Sequence, residues 1–159
     1  LVNVYGLCLA TREALKRMKE QEGGGRVVNI TSGAAGKAYR GWSAYGSQKA
    51  AVDAFTRVAA AEMDSTSCRV FALSPGPFES GMQETLRAAD PERFPAREKF
   101  VRLHRERRLA TAAAAADFIL QVALADWPEL QGRVEDLRAA SFQEECRGRG
   151  IDIPVDYRA

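Results

Sequence analysis

Two short apolar runs with a long alanine-rich segment between them constrain this chain more than any other feature. Residues 26–31 (RVVNIT) and 69–73 (RVFAL) are rich in β-branched and aromatic side chains, with Gly23-Gly24-Gly25 ahead of the first and Pro75-Gly76-Pro77 behind the second. Short, mostly apolar runs bounded in this way read as strands covered on both faces, the habit of parallel sheets. Between them, residues 43–63 place Ala44, Ala51, Phe55, Val58 and Ala59 along an apolar helical face. A strand, a helix and a second strand in that order form a right-handed crossover, which makes the two strands parallel.

The rest of the chain repeats the pattern. Residues 4–18 set Val4, Leu7, Leu15 and Met18 at helical spacing ahead of the first strand. Residues 32–42 form a glycine-punctuated loop after it. Beyond the second strand, short helices are expected at Gly81–Ala88 and 91–107, an Ala-rich one at 111–124, and a third strand at 133–137 (RVEDL), led by Gly132. Gly148, Gly150 and Pro154 mark the last twenty residues as a loose tail. The expected fold is α/β, with about three parallel strands and helices on both faces. The first strand would carry an unpaired edge, and Leu1 opens directly on a helix with neither a strand nor a glycine-rich turn before it. The expectation from these two features is a chain cut on its N-terminal side.

Composition excludes several roles. With 46% hydrophobic and 28% charged residues over 159 positions, the chain has ordinary globular values. A net charge of +2 is too small to draw in nucleic acid by long-range attraction. No run approaches the roughly 20 apolar residues of a membrane span. Arg12, Glu13, Lys16 and Lys19 interrupt the opening segment, unlike the apolar centre of a secretory leader. Cys8, Cys68 and Cys146 are odd in number and lack disulfide-like or metal-ligand spacing, which points to a reducing, cytoplasmic setting and to no metal.

Chemistry concentrates around the long helix. Tyr45 and Lys49 stand four residues apart, so both side chains project from one face. An ammonium beside a phenol favours the phenolate, and such a phenol can give a proton to a carbonyl oxygen or take it back. A Tyr-x-x-x-Lys pair arises often by chance, and its surroundings decide its weight. Ser32 lies thirteen residues before Tyr45, just past the first strand. At the carboxyl end of a parallel strand, where ligands bind, a hydroxyl can hold a carbonyl oxygen or simply shape the turn. His104, within RLHRERR, reads as a solvated residue on an exposed basic face, Trp42 as either a pocket wall or a packing residue, and Asn3 as a helix-start residue.

The segments VVNITSGAAG, WSAYGSQKAAVDAFTRVAAAE and RVFALSPGPFES, in that order and in that strand and helix context, resemble the short-chain dehydrogenase/reductases over most of the chain. The resemblance implies the C-terminal part of a Rossmann-type doubly wound parallel sheet. Residues 1–140 would be the catalytic portion of one NAD(P)-binding domain, and 141–159 its tail. It implies a catalytic set of Asn3, Ser32, Tyr45 and Lys49. In that set Ser32 positions the substrate oxygen, Tyr45 donates the proton, and Lys49 supports the tyrosine and bonds the nicotinamide ribose. Asn3, from an Asn-x-x-Gly signature completed by Gly6, would hold a water in the proton relay. Tyr45, Lys49, Pro75, Gly76, Phe78 and Ser80 are implied at the cofactor, with Ser80 where the family usually carries threonine.

A narrower likeness, in SPGPFESGMQETLR and FPAREKFVRLHRERRLATAAAAA, runs to sepiapterin and benzil reductases, with Glu79 and Ser80 replacing an Asp-Thr pair. It implies NADP, with NAD the alternative, and a small ketone, vicinal diketone or pterin-like substrate contacted by Ser32, Met82 and Asp136. Met82 reads equally well as a helix-packing residue. The family resemblance also implies that the long helix pairs with a second copy. Alternatively, the chain is a catalytically silent fragment or a non-enzymatic partner subunit, because it contains no glycine-rich turn to cradle a pyrophosphate.

Overall fold

Alternation along one strand builds the layers of this molecule. The computed structural model describes residues 2–63 and 68–157. A π-helical turn (Val2–Gly6) runs into α1 (Leu7–Lys19), followed by β1 (Gly25–Ile30), α2 (Ser43–Ala61), β2 (Cys68–Ser74), α3 (Gly81–Ala88), α4 (Arg97–Arg105), α5 (Ala112–Leu124), β3 (Val134–Asp136) and α6 (Ala140–Gly148). The strand order is β1-β2-β3 with every pairing parallel, so β2 is central and β1 lies at an edge. β2 sends Cys68 and Val70 to one face, against Leu15 of α1 and Ala59 and Ala60 of α2. Its other face carries Phe71 and Leu73 into a larger core with Phe118 and Val122 of α5 and Phe142 of α6. Side chains that alternate across a strand thus give a sheet with helices on both sides. This is the expected α/β, doubly wound arrangement.

One polar group crosses the smaller core. Asn29, buried in β1, accepts from the Thr11 hydroxyl of α1 at 3.2 Å and donates to the Thr56 hydroxyl of α2 at 3.0 Å. Thr56 passes its own proton to the Val52 carbonyl at 2.8 Å. A fully bonded buried network of this kind ties β1 to both helices and sets their register.

Two expectations need correction. The helix placed at 91–107 occupies only Arg97–Arg105, because residues 91–96 turn around Phe94, which is buried between α3 and α4. The segment after 140 is not a loose tail. It forms α6 and then runs back along the large core, where Phe142, Cys146, Ile151, Ile153 and Tyr157 are all buried. Phe142 stacks on Trp127 with ring centroids 5.4 Å apart and an interplanar angle of 6°. Cys8, Cys68 and Cys146 form no disulfide, and burial raises the Cys146 thiol to about 11, as suits a packed and inert side chain. Among the described residues no helix is long and apolar enough to cross a membrane.

Candidate active site

The site grows from the end of β1. Its last bond to β2 is Thr31 N–H to the Leu73 carbonyl, at 2.9 Å. The next residue, Ser32, is still extended, and its Oγ accepts from the Ala34 N–H at 3.2 Å, capping a short 3₁₀ turn (Gly33–Gly36). The turn-shaping role is therefore real. It uses the serine only as an acceptor, so the hydroxyl proton stays available to a carbonyl oxygen.

Helix α2 starts directly over that turn. A Cβ on Gly46 would stand 3.2 Å from the Ala34 carbonyl, so the glycine permits an approach that a larger residue would obstruct. Tyr45 is the residue before it on the helix that packs against this turn. Lys49, one helical turn on, places Nζ 5.9 Å from the Tyr45 ring centroid and donates to the Ile30 carbonyl at 2.8 Å. Trp42 meets the same tyrosine edge to face, with centroids 5.3 Å apart at 76°. Trp42 in turn stacks on Phe94 at 5.2 Å, which joins the start of α2 to the α3–α4 unit. Among the described residues the Tyr45 hydroxyl has no hydrogen-bond partner.

Burial pulls the pKa of Lys49 down, and the nearby Asp53 carboxylate opposes that shift. Asp53 continues the Tyr45–Lys49 spacing by another turn and accepts a hydrogen bond from the Thr31 hydroxyl. Sequence reasoning missed it, although the four-residue step was visible. Folding weakens the hold of Lys49 on its proton, so its charge costs stability below the depressed value and stops costing it above the ordinary lysine range. A group kept charged against this cost is expected to serve function rather than folding. Lys49→Met should lower turnover about 100-fold or more without lowering the unfolding midpoint at neutral pH. A clear fall in the midpoint would instead make Lys49 a structural residue.

The other expected site residues divide into groups. Asn3 donates through Nδ2 to Gln48 Oε1 at 2.7 Å, so it reaches α2 one residue away from Lys49. Asp136 lines, with Ser32, Ser74 and Asp53, a cavity of about 180 Å³ at the carboxyl ends of the strands. Its Oδ1 accepts from the Arg138 N–H at 2.9 Å. The Ser74 hydroxyl in this cavity is buried and without a protein partner among the described residues. Pro75 and Gly76 leave β2 from the same end, and Ser80 stands at the N-cap of α3 without its side chain capping the helix. Phe78 turns away, packing on the large core and pairing with Ala110. Met82 is exposed on α3.

His104 is exposed as expected, yet its Nδ1 lies 2.7 Å from Glu79 Oε1. That contact, with Arg87 on the other carboxyl oxygen at 3.4 Å, holds Glu79 below the usual carboxylate range and ties α3 and α4 to the Pro-Gly loop.

Comparisons with known proteins identify the family. The model of the short chain dehydrogenase family matches residues 1–91, a span that includes Asn3, Ser32, Tyr45, Lys49 and the Pro75-Gly76 pair. The chain belongs to this family. It is 33% identical over 139 residues to a benzil reductase ((S)-benzoin forming) of Bacillus subtilis, covering 86% of this chain and 56% of that protein. It is 35% identical over 91 residues to a diacetyl reductase [(S)-acetoin forming] of Staphylococcus aureus, covering 57% of this chain and 35% of the relative. Among solved structures it resembles ElxO with NADP bound, at 26% identity and a TM-score of 0.66 over 84% of this chain and 52% of that one. The chain thus spans about half the length of the benzil reductase it matches.

Proposed function

We propose that this chain carries the catalytic portion of an NAD(P)H-dependent carbonyl reductase that acts on small vicinal diketones. The observation that supports it most is the placement of Tyr45, seated between Lys49 and Trp42 with its hydroxyl unengaged by the described residues, on the helix that packs through Gly46 against the turn that Ser32 caps. The benzil and diacetyl reductases are named for substrates with adjacent carbonyls.

The residues present fit a nicotinamide cofactor. Lys49 and Tyr45 offer a cation and a hydroxyl from one helix face, suited to ribose hydroxyls. Ser80 offers a hydroxyl not engaged in capping, at a helix N-terminus whose orphan N–H groups favour an anion. When bound, the cofactor supplies the hydride. Ser32 donates to the substrate carbonyl and fixes its oxygen. Tyr45 delivers the proton as that oxygen gains electrons, and the Lys49 ammonium offsets the negative charge left on the phenol. Asn3, reaching α2 through Gln48, supports the water that returns a proton toward Lys49. NADP is the preferred cofactor, in line with the NADP-bound relative. In the same reading the protein works in the cytoplasm and pairs through α2, whose Val58 is exposed.

NADPH consumption with benzil or diacetyl tests the assignment. The expected product is the corresponding hydroxyketone, at a rate that Ser32→Ala reduces about 100-fold. Tight NADPH binding without turnover of any diketone, or full turnover by Ser32→Ala, would overturn it.

A further inference from the structure

The Pro75–Pro77 loop poses a physical problem. Neither proline has an N–H, so Gly76 holds the one backbone donor of the three, and the loop can be fastened mainly through its carbonyls. The donors for those carbonyls come from the C-terminal segment. The Tyr157 hydroxyl donates to the Pro75 carbonyl at 2.7 Å, and Arg138 Nη2 donates to the Pro77 carbonyl at 3.1 Å. The two donors brace each other, since the Arg138 guanidinium lies 5.1 Å from the Tyr157 ring centroid.

Gly76, with φ +70°, sits where a Cβ would come within 2.5 Å of Arg138 Nε. The arginine fills the space that any other side chain at 76 would need, and its buried Nε has no partner among the described residues. The hook is anchored in turn: Gln143 Nε2 donates to the Tyr157 carbonyl at 3.0 Å and to the Leu137 carbonyl at 2.8 Å. Asp156 accepts from the Thr111 N–H at 2.7 Å, next to Ala110, whose carbonyl takes the Glu79 N–H at 2.9 Å. The loop is therefore held at both ends from one C-terminal structure.

We propose that Arg138 and Tyr157 are positioning residues that hold the Pro75–Pro77 loop in the shape that receives the nicotinamide end of the cofactor. This rests on the proposed carbonyl reductase reading of the site. Burial keeps the Tyr157 phenol protonated up to about 12, so it remains a donor throughout the working range. The stability it adds is complete below the ordinary tyrosine value and is lost as pH rises through about 12.

Tyr157→Phe keeps the ring and removes one donor, leaving a buried carbonyl unsatisfied. Arg138→Lys keeps the charge and removes the fork. In each, hydrogen exchange at Gly76, Phe78 and Glu79 should quicken while that of Phe118 and Val122 stays as in wild type. Cofactor Kd and KM should rise about tenfold, with kcat at saturation and the KM for the carbonyl substrate changing less than about twofold. Unchanged exchange in both variants would overturn the clamp itself. A loosened loop with wild-type cofactor affinity would overturn its link to the cofactor. If the wild-type protein binds no nicotinamide cofactor, the reductase reading and that link fall together, while the exchange comparison still decides the clamp.

Discussion

Replacing Tyr45 with phenylalanine is expected to cut carbonyl reduction by about three orders of magnitude while leaving cofactor affinity within a few-fold of wild type. The substitution removes one oxygen. The ring keeps its edge-to-face contact with Trp42 and its place beside Lys49, so the surrounding packing has no reason to change. No protein hydrogen bond is lost among the described residues, because the hydroxyl makes none. What disappears is the proton donor, and the loss falls on kcat rather than on binding. Steady-state kinetics with NADPH and a diketone, beside a near-ultraviolet circular dichroism spectrum to verify the fold, measure both halves. Turnover above a tenth of wild type would remove Tyr45 from its role.

The second large effect is structural. Phe142→Ala should destabilise the protein by about 3–5 kcal/mol, the range for truncating a buried aromatic. Phe142 is fully buried, stacks on Trp127, and closes the large core beneath β2 together with Phe118 and Leu137. Phe142 belongs to the same buried cluster as Cys146, Ile151 and Tyr157, so its removal opens the space inside the core. Denaturant unfolding followed by the fluorescence of Trp42 and Trp127 reads the change. A loss below about 1 kcal/mol would mean that the C-terminal segment contributes little to the fold.

These two residues mark what the sequence makes legible and what it does not. The strands were plain because β-branched runs between glycine and proline have few other uses. Their observed bounds differ from the expected ones by a residue or so. Tyr45, Lys49 and Ser32 were visible because helical spacing and the strand end place them locally, without knowledge of the whole fold. The C-terminal segment was misjudged because Gly148, Gly150 and Pro154 outweigh a weak pattern. Phe142 and Cys146 are the only strong apolar pair in α6, and Ile151, Ile153 and Tyr157 stand among polar neighbours. Their burial is decided by distant partners in β2 and α5.

The same reason hid the clamp on the Pro-Gly loop. Arg138 and Pro77 are separated by 61 positions and Tyr157 and Pro75 by 82, and no local signal connects residues so far apart. Phe78 shows the converse. It lies inside a recognised motif, yet the chain direction after Gly76 turns its ring into the core. Membership of a motif fixes a residue's place in the chain but not the direction of its side chain.

In the proposed reading, hydride passes from a nicotinamide onto a carbonyl carbon while Tyr45 supplies the proton. The most direct measurement uses NADPH deuterated at the transferable position, with benzil as the acceptor and the protein as it is naturally encoded. The expected result is one deuterium on the new carbinol carbon of the hydroxyketone, formed by wild type and, at about a thousandth of that rate, by Tyr45→Phe. Hydroxyketone without deuterium at that carbon, or labelled product formed at equal rates by both proteins, would contradict it.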